Sequence, residues 1–475
     1  MLKRYTLSGM NVVILGAGTI GFRLAKQLIE EDKNIVLIER DPEKAKHAAN
    51  LLDCLVLNEV GNNLTTLRKA GTSKADYFIG VTDSDEVNMI ACGMVSSEFP
   101  VPNKIARIRN IDYSSTNMIQ RSFPGIDYFV NPEIEASKAI IRAVEHGAVS
   151  EVVFFEKSDL QMRSLTVGGG SVFNNTSIEE IKKTVQTNFL VAVILRDDFS
   201  IIPRGDSVVR ENDRLYLIAT EESFEKIFSQ VGKSVMKPNK IVLIGGSRIG
   251  RYVAEHFLRP PKRVFSMFSR LLRRFSRVTK RKINIIDSDY ENCQMLADRF
   301  PEALVINADI SDEGFSEDEQ LSDADLVIAT TDNQELNIIN AVYAKTLGAK
   351  RSIALVNKSN YVNIASNLGI DVAISSVDSM VDSILKYIRN SNIRSVYSIS
   401  GGKVEVIELS VVLSSRMVGK KIKEIRLPRD SLILSVSRES KDIIPDGDLA
   451  LQSGDHLIVI TRKESVPKLE QLFSG

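Results

Sequence analysis

Cysteine and histidine are scarce in this chain, at three and four of 475 residues. Cys54, Cys92 and Cys293 are too scattered for a disulfide framework or a metal cage, which suits a reducing compartment. His47, His146, His256 and His456 are equally dispersed, so no metal site is expected. Net charge is also missing, because 61 basic residues balance 61 acidic ones, and composition alone names no partner. No run approaches the roughly 18 uncharged apolar residues that a membrane-spanning helix needs. The opening "MLKRYTLSGM" lacks the apolar centre of a signal peptide, and a cytoplasmic location is expected. A Ser-His-Asp set, a P-loop lysine pattern and a metal dyad are absent as well. No residue set supplies the acid, base or hydride-positioning group of a dehydrogenase, so the chain is not expected to be an enzyme.

What is present is a sequence written twice. With 43% apolar residues, the chain is long enough for several globular domains. "VVILGAGTIG" (12–21) corresponds to "IVLIGGSRIG" (241–250), and "IVLIERDPEK" (35–44) to "INIIDSDYEN" (283–292). "GVTDSDEVNMIA" (80–91) corresponds to "ATTDNQELNIIN" (329–340), and "KIARIRNIDY" (104–113) to "SIALVNKSNY" (352–361). After each copy comes a β-rich stretch with matched "IIPRGD" and "IIPDGD" turns, placing Arg196 over Arg438. Strand and helix patterns alternate in the first kind of unit, with strands near 11–15, 34–38, 53–57, 76–81, 103–108 and 126–130. The expected class is α/β, with two Rossmann-like parallel-sheet domains, each followed by a small β-rich α+β domain. Boundaries are placed at 10–148, 151–231, 238–390 and 395–474, with one helical stretch such as 177–187 in each β-rich unit.

The first glycine loop has the full spacing of a dinucleotide-binding turn. Gly16 permits the turn after the strand, Gly18 lets a pyrophosphate approach, and Gly21 lets the helix pack closely. Ala17, Thr19 and Ile20 complete a loop whose helix start presents amides to phosphate. Glu39, at the end of the next strand, is placed to accept ribose hydroxyls. On the rim, Thr82 and Asp83 follow the fourth strand, while Arg107 and Arg109 on the fifth offer charge-assisted bonds to phosphate. A salt bridge from Arg107 to Asp83 or Asp85 is the structural alternative. The second loop has Gly245, Gly246, Ser247, Arg248 and Ile249 before Gly250, with Asp287 at the ribose position. Ser247 adds a side chain where phosphate must approach, and Leu355 and Asn357 replace the two arginines. Binding there is expected to be weak or absent, unless the Ser247 hydroxyl itself takes a phosphate.

The duplicated order, with "ILGAGTIG", "GVTDSDEVNMIAC", "IARIRNIDY" and the paired turns, resembles the regulatory subunit of bacterial Trk potassium-uptake systems. That resemblance implies RCK-type (KTN) Rossmann domains and small companion domains. It further implies a tetrameric ring on the cytoplasmic face of the inner membrane, docked to a potassium-translocating subunit and responsive to NAD(H) or ATP/ADP in the first Rossmann domain. It carries pyrophosphate to Gly16–Ile20, ribose to Glu39, and phosphate to the neighbourhood of Arg107. One departure is Asn58-Glu59-Val60, where the family has a glycine-rich turn after the third strand, which narrows the site or adds negative charge. An NAD-dependent oxidoreductase and a nucleotide-binding scaffold without a transporter remain open alternatives.

The second copy also contains a basic insertion, 259–282, with ten Lys/Arg and no acid. From Val264 a helical projection gathers Phe265, Phe268, Leu272 and Phe275 on one face and arginines opposite. Residues 263–281 therefore suit an anionic membrane surface, with a partner surface or an ordinary packed excursion as alternatives. Nucleic acid is not expected, since the rest of the chain carries the compensating negative charge.

Overall fold

Strands buried on both faces organise the molecule, as the apolar runs require. In the first of them Val12 and Ile14 enter one core and Val13 and Leu15 the other. The structure is a computed structural model describing residues 9–31, 33–110, 125–145, 152–155, 158–197, 199–231, 238–258, 281–310, 319–388, 393–399, 404–439 and 441–473. Residues 259–280, most of the basic insertion, lie outside the described residues.

Six parallel strands form the first sheet: β1 (Asn11–Leu15), β2 (Asn34–Ile38), β3 (Leu55–Leu57), β4 (Tyr77–Gly80), β5 (Asn103–Arg107) and β6 (Tyr128–Val130). Their order is β3-β2-β1-β4-β5-β6, a doubly wound sheet that reverses between β1 and β4 and opens a ligand crevice there. Helices α1 (Thr19–Glu30), α2 (Pro42–Leu51), α3 (Leu64–Lys69), α4 (Asp85–Glu98) and α5 (Pro132–Glu145) connect or follow these strands. The side chains of Asp41 and Ser84 cap α2 and α4, whereas α1 begins at Gly18 with no side-chain cap.

The first β-rich unit is an antiparallel sheet of β7 (Val152–Phe154), β8 (Leu160–Thr166), β9 (Phe189–Arg196), β10 (Phe199–Ile201) and β11 (Arg214–Thr220). It carries two helices, α6 (Ile178–Val185) and α7 (Glu221–Gln230), where one helical stretch is expected. The second went unread because α7 follows β11 with no glycine or proline break. Its signals are Thr220, whose hydroxyl caps the Ser223 amide, the acids Glu221 and Glu222 in its first turn, and the spacing of Phe224, Ile227 and Phe228.

The second Rossmann sheet contains β12 (Lys240–Ile244), β13 (Lys282–Asp287), β14 (Leu304–Asn307), β15 (Leu326–Ala329), β16 (Ser352–Val356) and β17 (Val372–Ser375). Its order, β14-β13-β12-β15-β16-β17, is that of the first. Its helices are α8 (Arg248–Leu258), α9 (Tyr290–Arg299), α10 (Glu319–Ser322), α11 (Gln334–Thr346), α12 (Ser359–Asn367) and α13 (Ser376–Ile388). The second β-rich sheet contains β18 (Ile393–Ile399), β19 (Val404–Ser410), β20 (Leu432–Arg438), β21 (Lys441–Ile443) and β22 (His456–Arg462), and α14 (Val466–Phe473) follows it. Here a 3-10 turn at Ile422–Glu424 lies before β20 in place of an α-helix.

The chain divides into two compact units, 1–141 with 239–388, and 142–238 with 389–475. Within the first unit the copies exchange a helix. Val377, Met380, Val381, Ile384, Leu385 and Ile388 of α13 join the core over β1 and β2 of the first sheet. Tyr387 stacks on Tyr128 at 4.5 Å, and Arg23 meets Asp378 at 3.4 Å. Within the second unit the two β-rich sheets share one core, Met162, Val193 and Tyr216 packing with Val406, Leu434 and Ile460. In both sheets an arginine fork closes on a buried aspartate, Arg196 on Asp213 and Arg438 on Asp455. Among the described residues no helix is long and apolar enough to cross a membrane.

Candidate functional site

The first glycine turn is held open by backbone and acid together. Gly16 has φ +103°, a conformation that favours glycine, and its amide donates to the Ile38 carbonyl at 2.8 Å. A Cβ on Gly21 would lie 1.9 Å from the Gly16 carbonyl oxygen, so that glycine serves helix packing. A Cβ on Gly18 would meet nothing within 4 Å. No contact within the described protein therefore demands glycine at 18, and the space in front of it is open. Glu39 is buried, and its carboxylate accepts the Ala17 amide at 2.6 Å and the Asp41 amide at 2.9 Å. The acid placed for ribose thus also locks the turn to the second strand. Each carboxylate oxygen retains a lone pair for a hydroxyl.

Across the crevice, Asn88 is the residue that sequence reading missed. Fully buried on α4, it accepts the Thr82 amide at 2.9 Å and donates to the Arg107 carbonyl at 2.9 Å, joining the ends of β4 and β5. Its recurrence as Asn337 was the available signal: that side chain bonds the Thr331 amide and the Leu355 carbonyl in the same way. Arg107 donates to the Thr82 carbonyl at 2.8 Å and closes no ion pair among the described residues. Asp85 instead accepts the backbone amides of Arg109 and Asn110, and the Arg109 guanidinium donates to the Asp83 carbonyl at 2.7 Å. The Arg107 Nε is buried with no partner among the described residues. Burial, and then the like charge of Arg109, push this guanidinium below its ordinary pKa.

These groups surround a cavity of about 620 Å³. Gly16, Gly18, Thr19, Ile20, Glu39, Thr82, Asp83 and Arg107 all line it, while Ala17 and Gly21 do not. Arg40, Asp41, Lys44 and Arg109 add to its rim, giving four cations interleaved with the carboxylates of Glu39, Asp41, Asp83, Glu133 and Asp332. The second copy closes it, since Ile249, Thr331, Asp332, Leu355 and Ser376 also line it. Of Asn58-Glu59-Val60, only Val60 reaches the cavity. The expected extra charge does not, because Glu59 pairs with Lys69 at 2.6 Å and accepts from Thr66 at 2.8 Å. Gly61 also lines the cavity, and a Cβ there would strike the Leu15 side chain.

The second cleft repeats the scaffold without the cations. Gly245 has φ +94°, and Asp287 accepts the Gly246 amide at 2.6 Å and the Asp289 amide at 2.8 Å, as Glu39 does in the first copy. Gly245, Ser247 and Asp287 line a smaller cavity of about 360 Å³; Gly246 does not, Arg248 faces elsewhere, and Ile249 lines the first cavity. The Ser247 hydroxyl accepts the Gly250 amide at 3.3 Å, capping α8 where α1 has no side-chain cap. Positions matching Arg40, Lys44, Arg107 and Arg109 carry Ser288, Asn292, Leu355 and Asn357. Asn292 donates to Asp287 at 2.9 Å, occupying the acid that would take ribose. The lining includes Asp287, Asp289, Asp309 and Asp332 and no described lysine or arginine, a field that repels polyphosphate.

Comparison with known proteins follows the same duplication. The TrkA-N domain family matches residues 12–132 and 267–376, and the TrkA-C domain family matches 162–232 and 406–474. The chain is 29% identical over 470 residues to the Trk system potassium uptake protein TrkA of Halomonas elongata, covering 98% of each chain. It is also 29% identical to TrkA homolog 1 of Methanosarcina mazei over 472 residues, covering 98% of this chain and 100% of that one. In solved structures, the GsuK channel bound to NAD aligns with a TM-score of 0.55 at 18% identity, over 98% of this chain and 79% of that one. The GsuK RCK domain aligns at 0.54 and 18% identity, over 98% and 95%. At that identity the structural likeness concerns the fold.

Proposed function

The chain belongs to the family built from paired TrkA-N and TrkA-C domains, and from that premise we propose that it is the nucleotide-sensing regulatory subunit of a Trk-type potassium-uptake system. The observation that carries the nucleotide reading is the first cleft: an open cradle at Gly18, an uncapped helix start, and the unpartnered buried Nε of Arg107 face one cavity. NAD(H) or ATP/ADP fits this donor set, with pyrophosphate over Gly16–Ile20, ribose at Glu39, and phosphate charge met by Arg107. The second cleft, acidic and self-capped, serves assembly rather than nucleotide binding. In this reading the domains run 10–148, 151–231, 238–390 and 395–474.

Such a subunit regulates without transforming its ligand. A nucleotide shifts a conformational equilibrium only through unequal affinity for two states, and ~1–3 kcal/mol of coupling gives roughly 5–150-fold regulation. The first cavity is suited to this because Ser376 and Val377 of the exchanged helix line it, so the ligand touches both Rossmann copies. Exposed Ile90 on α4 and Ile339 on α11, at matched positions, favour a tetrameric ring in which these faces are covered. That ring sits in the cytoplasm against the potassium-translocating subunit at the inner membrane, and segment 263–281 contacts anionic lipid.

Calorimetry with NAD, NADH, ATP and ADP, followed by potassium flux through the reconstituted membrane subunit, tests the proposal. Nucleotide binding without any effect on flux favours the scaffold reading, and reproducible turnover of NADH with a substrate favours the oxidoreductase. Liposome flotation of protein lacking 260–281 tests the lipid contact; flotation equal to that of the intact chain removes it.

A further inference from the structure

A different cavity, of about 530 Å³, lies beside the first cleft and gathers Arg109 from the first Rossmann copy with Arg248, Arg251 and Arg299 from the second. Tyr252 and Asp85 also line it, and Asp85 is its one described carboxylate. With Glu133 beside Arg248 and Glu255 beside Arg299, four guanidiniums meet three carboxylates, which leaves an excess of positive charge at the cavity. Two of the four are weakly or separately engaged: Arg248 lies 3.5 Å from Glu133, and Arg299 donates to Glu255 at 2.9 Å. Arg109 spends its guanidinium on a backbone carbonyl. The described partner of Arg251 is the Met295 thioether, 3.4 Å away, a poor acceptor for a full charge. The Tyr252 hydroxyl is buried with no partner among the described residues. Burial and the Glu133 carboxylate raise the pKa of that hydroxyl, and Arg248, Arg251 and Arg299 act on it in the opposite sense.

We propose that this cavity is a phosphate-group site beside the glycine-turn cleft, in which Arg251 and Arg299 hold the anion and the Tyr252 hydroxyl donates to it. The chemistry selects a compact dianion. Forked guanidinium donors converging with a phenol hydroxyl match tetrahedral oxygens, and among the described lining residues Tyr252 is the one apolar side chain. Arg251, Arg299 and Tyr252 all belong to the second Rossmann copy, and Arg109 lines the same cavity from the first. The phosphate group is either free in solution or the terminal group of a nucleotide reaching from the first cleft past Arg109. The inference does not rest on nucleotide sensing.

Phosphorus NMR and calorimetry on the full-length protein, with inorganic phosphate and separately with ATP and ADP, test it. Free phosphate is expected to bind, to weaken about tenfold or more in Arg251→Ala and in Arg299→Ala, and to bind Gly18→Arg protein as well as the parent. Arg251→Lys should retain part of the affinity, and an unchanged melting temperature shows that loss is not unfolding. Should phosphate alone fail to bind while Arg251→Ala weakens ATP more than ADP, the site takes the nucleotide's terminal phosphate. If Arg251→Ala and Arg299→Ala leave the affinities of phosphate, ATP and ADP all unchanged, the proposal falls. Loss of nucleotide binding in Gly18→Arg with phosphate binding intact separates this site from the cleft.

Discussion

The two Rossmann copies keep the same skeleton and differ in charge. Both hold the glycine turn with an acid that accepts two backbone amides, and both tie the fourth and fifth strands with a buried asparagine. Yet the first cleft sets Arg40, Lys44, Arg107 and Arg109 among its carboxylates, while the second has four aspartates and no described lysine or arginine, with Asp309 standing where the first has Val60. Skeleton and charge are thus separable: the features that survive in both copies are those the backbone needs, and those lost from the second are the cations of the first cleft.

The sharpest way to break that comparison is to fill each cradle. Gly18→Arg places a side chain into open space, so the protein should fold normally while nucleotide affinity drops at least about a hundredfold, on the order of 3 kcal/mol. Ser247→Arg should leave calorimetric affinity and stoichiometry unchanged. Retained affinity in the first variant would place the nucleotide elsewhere, and loss in the second would make the acidic cleft a binding site.

The β-rich copies provide the control, since they have not diverged at their ion pair. Burial alone would raise the Asp213 carboxyl, but the Arg196 fork and the Arg210 amide outweigh it and hold the group below 3.8. A depressed folded value means stability that is present above pH 3.8 and lost as pH falls through the folded value. Arg196→Met should therefore cost about 3 kcal/mol near neutral pH, with the gap from the parent shrinking below that pH. Arg438→Met should cost a similar amount, because its fork meets Asp455 at 2.8 Å through both nitrogens. Thermal melts from pH 7 to pH 3 would show unequal costs if the second unit had decayed as the second cleft has.

The asparagine ties carry the comparison into the Rossmann cores. Asn88→Ala and Asn337→Ala each strand a buried amide and a carbonyl, and each should destabilise by about 2 kcal/mol. Only the first should also weaken nucleotide binding, because it frees Thr82 and the strand end that aims Arg107. Urea unfolding of both variants checks this; a much smaller cost in the second copy would mean that its skeleton is relaxing too.

Much of this was legible in the sequence because the repeat aligns residues that share a backbone position. The parallel sheets, the glycine turns and the acids at 39 and 287 follow from local pattern, as does the correspondence of Arg196 with Arg438. The exchanged helix is invisible there: amphipathic spacing in 376–388 says that one face is buried but not against which sheet. Arg40, directly after the acid at 39, is legible as a cation within reach of phosphate, but Lys44 has no motif. It becomes a lining residue only when the start of α2 folds over the cleft. Arg248 reads as part of a glycine loop, yet the helix start carries it into the arginine-rich cavity.

The finest distinction concerns Arg107 and its counterpart Leu355. A side chain kept for structure would have its donors satisfied in the free protein, but the Arg107 Nε is buried and unpartnered, an arrangement that costs stability. Arg107→Met should therefore keep or slightly raise the melting temperature of the free protein while weakening nucleotide about tenfold, roughly 1.4 kcal/mol. Leu355→Ala, which trims the wall of the same cavity, should change affinity less than about twofold. If Arg107→Met instead lowered the melting temperature and left affinity intact, its bond to the Thr82 carbonyl would be the reason for the arginine, and the charge difference between the clefts would lose its functional meaning.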